Sequence, residues 1–325
     1  MSSINFKNVY IKDNYSIIGP VEKKGKLINY NESMDDFYYG EKTFEASEVK
    51  MQINAINKLL VNNSLNEKDI KLVIGGDLIN QISISSYSMR RFNIPFIGIY
   101  SACSTFTESI LLCSIFIDKY KYKNVVAITS SHNLTAERQY RYPVEYGAPK
   151  PHTTTFTATG AVSTLLTNEV TNIKVNTATI GSVVDKGIND VSNMGAVMAP
   201  AAADTLKKHL DEFNLSINDY DLVVTGDLGC VGREIFKEYL KEVHNIKLKK
   251  YIDSACEIYK DNQDTYAGGS GPVCLPLVLF SKIIKEKKYK KILLLGTGSL
   301  HSPSLLNQHN TIPSISHAIG LEIIK

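Results

Sequence analysis

Cys103 stands where a thiol could react. It follows the apolar run Ile97-Gly98-Ile99-Tyr100 and precedes Ser104 and Thr105, residues suited to a helix N-cap. A thiol at a helix start lies near the positive end of the dipole, which favours the nucleophilic thiolate. A buried cysteine also serves as a small apolar residue, and the local sequence leaves both roles open. His132 follows another apolar run, 125–129, so a Cys–His dyad is one way to activate the thiol. Its alternative role is to hydrogen-bond its own loop. Two glycine-rich stretches, GDLGCVG at 226–232 and AGGSG at 267–271, offer backbone N–H groups to an anion. Asp77 and Asp227 each follow a glycine at the end of an apolar run. Asp77 reads as a cap for the next turn, and Asp227 as either a cap or a pocket wall. His301 and His317 read as structural, and His209 and His244 as surface positions on helices.

These residues need a scaffold, and the chain carries one twice. IKLVIGGDL at 70–78 returns as YDLVVTGDL at 220–228, Ser101-Ala102-Cys103 as Ser254-Ala255-Cys256, and YKNVVAI at 122–128 as YKKILLL at 289–295. Order is kept over a long period, which indicates a duplicated domain and not a solenoid. Each copy alternates strands and helices. The first has strands over 72–75, 96–100 and 125–129, with helices over 47–61, 81–92 and 104–119. The second has helices over 201–213 and 272–287 and strands over 222–225 and 292–295. Short β-branched runs between helices are the pattern of parallel strands covered on both faces. The division falls at 1–170 and 171–325. Residues 143–157, with three prolines, read as a long irregular connection.

Composition narrows the classes. The 325 residues are 43% hydrophobic and 21% charged, with a net charge of +3, so nucleic acid is not an expected partner. Five dispersed cysteines show no CxxC pair, which argues against structural zinc and fits a reducing compartment. No EF-hand calcium loop is present, and no metal or cofactor is expected. The N-terminus lacks a signal-peptide core, and no apolar run reaches the length of a spanning helix. The expected location is cytoplasmic.

Two βαβαβ copies with a cysteine at the strand–helix junction of the first resemble the thiolase fold, layered α-β-α-β-α. The motifs GDLIN (76–80), ACST (102–105), TSSHN (129–133), MAPAAADT (198–205), TGDLGCVG (225–232), AGGSG (267–271) and IPSISHAIGLE (312–322) resemble the stage V sporulation protein AD family. That resemblance implies dipicolinic acid as ligand, alone or together with calcium. It also implies membrane-embedded sporulation channel proteins as partners, and a peripheral place at the spore inner membrane. Condensing relatives in the superfamily pair their cysteine with two His, or a His and an Asn, from the second half. Here those loops carry Asp227 and the 267–271 glycines, so Cys103 reads as a relic nucleophile with His132 as its possible partner. The expected ligand-binding set is Cys103, Ser104, His132, Arg138, Asp227, Gly269 and Ser270. Arg138 is also a candidate for an ion pair with Glu137 or Glu145. The alternative function is a working acyltransferase or condensing enzyme. A homodimer is expected, paired through the strand near 125–129 with 143–157 reaching the partner.

Overall fold

The computed structural model describes residues 2–140 and 150–324. Its first half contains β1 (Ser3–Asn5), β2 (Tyr10–Ile18), β3 (Glu32–Ser33), α1 (Phe44–Asn62), β4 (Leu72–Gly76), α2 (Ser83–Met89), β5 (Phe96–Gly98), α3 (Thr105–Tyr120), β6 (Asn124–Ser131), α4 (Asn133–Tyr140), β7 (Phe156–Thr157) and β8 (Gly160–Thr167). The second half contains β9 (Ile173–Thr179), α5 (Met194–Phe213), β10 (Leu222–Thr225), α6 (Gly229–His244), β11 (Tyr251–Asp253), β12 (Gly269–Ser270), α7 (Cys274–Val278), a π turn, α8 (Ile284–Glu286), β13 (Lys291–Ser299), α9 (Pro303–Leu306) and β14 (Ser314–Ile323).

The long sheet runs β11-β10-β13-β14-β9-β2-β8-β6-β4-β5. Parallel pairs β4–β5 and β4–β6 in one half match β10–β11 and β10–β13 in the other. The repeat seen in sequence is therefore a repeat of structure. Alternation along the strands explains the layers. In β4, Leu72 and Ile74 face a central core, and Val73 faces α1 and α2. In β13, Ile292 and Leu294 face the same central core, and Leu293 and Leu295 face α5 and α6. The central layer holds α3 and the α7–α8 helix, where Phe106 meets Phe280 edge-to-face at 6.3 Å. The order is α-β-α-β-α.

Several boundaries differ from expectation. Helix α2 starts late because Gln81 and Ile82 take left-handed φ values of +61° and +47°. Helix α5 begins seven residues earlier than the expected 201, with Pro200 inside its first turns. The 272–287 helix is interrupted by a π turn at Leu279–Ile283. The dimer strand is also corrected. Strand β6 is bonded on both sides, by β4 and β8, so it has no free backbone edge for a partner. The open edge of this half is β5, whose middle residue, Ile97, is exposed. Among the described residues no helix is long and apolar enough to cross a membrane.

Candidate functional site

Cys103 lies in a single 3-10 turn, Ala102–Ser104, that leads into α3. Ala102 holds a left-handed φ of +47°, a strained conformation for a residue with a side chain. The turn is fixed locally by Ser104 N–H donating to Ser101 O at 2.9 Å and Thr105 Oγ1 to Ala102 O at 2.7 Å. Strand β13 passes directly over it. A Cβ on Gly298 would come 2.5 Å from Ser101 O, so only glycine allows that approach.

The second half supplies the floor of the site. Asp227 is fully buried beside the Cys103 thiol, close enough for its charge to act on it. Its Oδ2 accepts from Gly271 N–H at 2.8 Å and Ser270 Oγ at 3.2 Å, and its Oδ1 from Thr297 Oγ1 at 2.7 Å. Burial, then the Asp227 charge, pushes the thiol well above its ordinary value, although Gly271 N–H and Ser270 pull the other way. Burial also raises Asp227. This reverses the expectation from the helix dipole. The dipole is weak beside burial and a neighbouring buried carboxylate, so Cys103 rests as a thiol.

A small cavity of about 40 Å³ opens at Cys103, lined by Leu78, Ala102, Ala136, Tyr140, Thr157, Met194, Ser270, Ser299 and His301. That is room for a few waters. Tyr140 and His301 face each other across it with ring centroids 5.3 Å apart. The Tyr140 hydroxyl donates to Leu78 O at 2.5 Å and lies 2.9 Å from the Tyr100 hydroxyl. A roomier hollow of about 650 Å³ lies between α1 and α2, lined by Glu41, Lys50, Tyr87, Arg90 and Arg91 among others. It contains no thiol or histidine, so the chemistry belongs to the smaller cavity.

The expected set is thus divided. Cys103, Asp227 and Ser270 come together. Gly269 sits one residue away in β12, where a Cβ would press on Cys274 Sγ at 3.2 Å. His132 does not join them. Its Nε2–H donates to Phe37 O at 2.8 Å and its Nδ1 accepts from Leu134 N–H at 3.2 Å. It packs between Phe37 and Phe44, and burial holds it down at about 4. Both ring nitrogens are occupied away from the thiol, which removes the Cys103–His132 dyad. Ser104 is turned under β13, with its Oγ 3.2 Å from Thr107 Oγ1, and makes no cap bond. Arg138 points outward, pairing with Glu45 at 2.8 Å and lying over the Phe44 ring. Of its expected partners, Glu137 pairs instead with Lys150, and Glu145 lies outside the described residues, as do residues 143–149 of the 143–157 connection.

His301, Tyr140, Met194 and Thr157 complete the cavity without having been singled out for it. His301 had a usable signal, since it lies just past the carboxyl end of β13, where ligands gather in such sheets. His209 is another correction. It is buried in α5 between Thr179 Oγ1 at 2.7 Å and the Tyr220 hydroxyl at 2.6 Å. Its helix face turns inward despite the flanking lysines. Asp77 caps, as read: it accepts from Ile79 N–H, Ser85 N–H and Ser85 Oγ. Among the described residues no cluster of three or more His, Cys, Asp or Glu could hold a metal ion.

The family model for stage V sporulation protein AD matches residues 2–322. The stage V sporulation protein AD of Bacillus subtilis (strain 168) is 40% identical over 318 residues, covering 97% of this chain and 94% of that protein. Among solved structures, 3-oxoacyl-[acyl-carrier-protein] synthase III from Aquifex aeolicus VF5 superposes with a TM-score of 0.54 at 16% identity, covering 99% of each chain. A glutamate-to-glutamine variant of Xanthomonas campestris OleA gives a TM-score of 0.62 at 13% identity, covering 98% of this chain and 99% of that one. At these identities the two structures establish the thiolase-like fold alone. The chain belongs to the stage V sporulation protein AD family.

Proposed function

We propose that this chain is a dipicolinate-binding protein that does not catalyse acyl transfer, and that the Cys103 cavity is its ligand site. It works at the spore inner membrane as a peripheral partner of membrane-embedded channel proteins, moving dipicolinate during sporulation and germination. The observation that carries the reading is the carboxylate of Asp227 against the Cys103 thiol. An acyl-transfer site needs a reactive thiolate and neutral or cationic donors for the developing oxyanion. A buried carboxylate there raises the thiol and repels an oxyanion. A homodimer through the open β5 edge belongs to the same proposal.

A planar aromatic dicarboxylate needs more than the 40 Å³ present, so Tyr140 and His301 must part to admit it. Hydroxyls of Ser270, Ser299 and Thr157 and the His301 ring then offer polar contacts. An anion arriving beside Asp227 raises that carboxyl further, so binding takes up a proton and weakens as pH rises. Calorimetric titration with dipicolinate, with and without calcium, tests the reading. Saturable binding that falls with rising pH and is lost in Cys103→Trp, which fills the cavity, is the expected result. Unchanged binding in Cys103→Trp would place the ligand elsewhere.

A second reading rests on His301, which shares the cavity with Cys103 and could serve an acyltransferase as its base. Mass spectrometry after incubation with acyl-coenzyme A distinguishes the two. A thioester on Cys103 that turns over would overturn the binding-protein reading.

A further inference from the structure

A second sulfur site lies apart from the Cys103 cavity. Cys256 is the repeat counterpart of Cys103, the third residue of the second SAC triplet. Cys230 is the second residue of α6 and is exposed, and its Sγ lies 2.7 Å from the buried Cys256 Sγ. The two thiols come from separate elements, the first turn of α6 and the 3-10 turn Ser254–Glu257 that follows β11. Their sulfurs are closer than unbonded sulfurs normally rest.

The surroundings give the two thiols different characters. The Cys256 hydrogen bond, assisted by Arg233 and Lys26, holds Cys230 down to about 6. The α6 N-terminus acts in the same direction. Cys256 is pushed up instead, first by the same hydrogen bond and then by burial. Its thiol points at Asp253 Oδ1, 3.9 Å away, and burial lifts that carboxyl to about 7. One thiol is therefore exposed and poised to attack, and the other is buried beside a proton acceptor.

We infer that Cys230 and Cys256 form a reversible thiol–disulfide exchange site, with Cys230 the attacking thiol, Cys256 the resolving thiol and a low-molecular-weight disulfide the oxidant. The Cys230 thiolate attacks one sulfur of the small disulfide, forming a mixed disulfide and releasing one small thiolate. Cys256 passes its proton to Asp253, attacks the Cys230 sulfur and displaces the second small thiolate, which takes up a proton. Two protein thiols are oxidised to one disulfide, and one small disulfide is reduced to two thiols.

The bond ties together the elements that carry the Cys103 floor. Leu228 N–H and Gly229 N–H both donate to Asp253 at 2.9 Å, and Cys230 N–H donates to Ala267 O at 2.7 Å. Asp227 precedes the first of these segments, and Ser270 and Gly271, which hold Asp227, follow the second. Redox state at the pair thus reaches the cavity through backbone contacts.

Oxidised glutathione is the probe. The purified full chain is equilibrated with it at pH 7, quenched with acid and mapped by peptide mass spectrometry. The expected product is one internal disulfide joining the Cys230 and Cys256 peptides, reversed by dithiothreitol. Cys256→Ser should stop at a single glutathione adduct on Cys230, and Cys230→Ser should give neither adduct nor disulfide. In the reduced wild type, iodoacetamide should modify Cys230 at least about tenfold faster than Cys103. A wild-type map with these two thiols still free, a disulfide between other cysteines, or Cys103 modified ahead of Cys230 would overturn the assignment. The wild-type map decides even if a variant folds poorly.

Discussion

Asp77 and Asp227 hold the same place in the two halves, just past the end of a buried parallel strand. Asp77 acts locally, accepting from Ile79 and Ser85, eight residues away at most. Asp227 reaches Gly271, Thr297 and, in the other half, Cys103. The difference arises after the SAC triplet. In the first half α3 follows at once. In the second half residues 258–273 intervene, and they bring the glycine-rich segment back against Asp227. The carboxylate that caps a turn in one half forms a pocket floor in the other, where the inserted segment and Thr297 of β13 give it distant partners.

Asp77→Ala should produce the largest loss. It leaves one buried and one half-buried N–H group and a buried hydroxyl without an acceptor, at a cost of about 3 kcal/mol in denaturant unfolding, with Cys103 alkylation unchanged. A loss below about 0.5 kcal/mol would show that its cap is dispensable, and the comparison would fail on that side.

The pH dependence of stability comes next. Buried Glu22 and Asp253 are raised to about 7 and Glu48 to about 8, each chiefly by burial. These carboxyls bind more protons folded than unfolded, so they favour the fold at low pH and cease to as pH rises through those values. His132, His209 and His317 are lowered to about 4 by burial and favour the fold as pH rises from about 4 to 6.5. The two sets oppose each other below pH 6.5. Above it the carboxyls cease to stabilise while Cys230, held down to about 6, works the other way and offsets about half of the loss, so stability should still fall, by about 1 to 2 kcal/mol, between pH 6.5 and 8. Melting curves across that range check this. Glu48→Gln should flatten the fall more than Asp253→Asn, because Glu48 titrates last. A rise with pH would contradict the sign.

Gly298→Ala should cost about 2 kcal/mol, since its methyl meets the carbonyl before Ala102. Asp227→Asn removes the charge beside Cys103 but keeps its shape. Alkylation of Cys103 at pH 8 should accelerate about tenfold, the equivalent of one pKa unit, and Asp77→Asn should not change it. Equal rates in both variants would abolish the distinction between the halves. Arg138→Ala should be the smallest effect, under about 0.5 kcal/mol, because its pair with Glu45 is exposed. It should leave dipicolinate titration unchanged.

The sequence by itself determined the duplication, the layered α/β fold, the placement of Cys103 at a strand–helix junction and the family. Repeated motifs and strand–helix alternation are local patterns, and local patterns are legible along a chain. Tertiary structure alone decided how the site is wired. The charge beside Cys103 belongs to Asp227, in the other half. His132 lies close to the right end of the sheet, yet Phe37, Phe44 and Leu134 orient it away. His301 reaches the cavity because β13 crosses the Cys103 turn at Gly298. A helix dipole can be read from sequence, but burial and a neighbouring carboxylate outweigh it. Both are set by which distant segments the fold brings together.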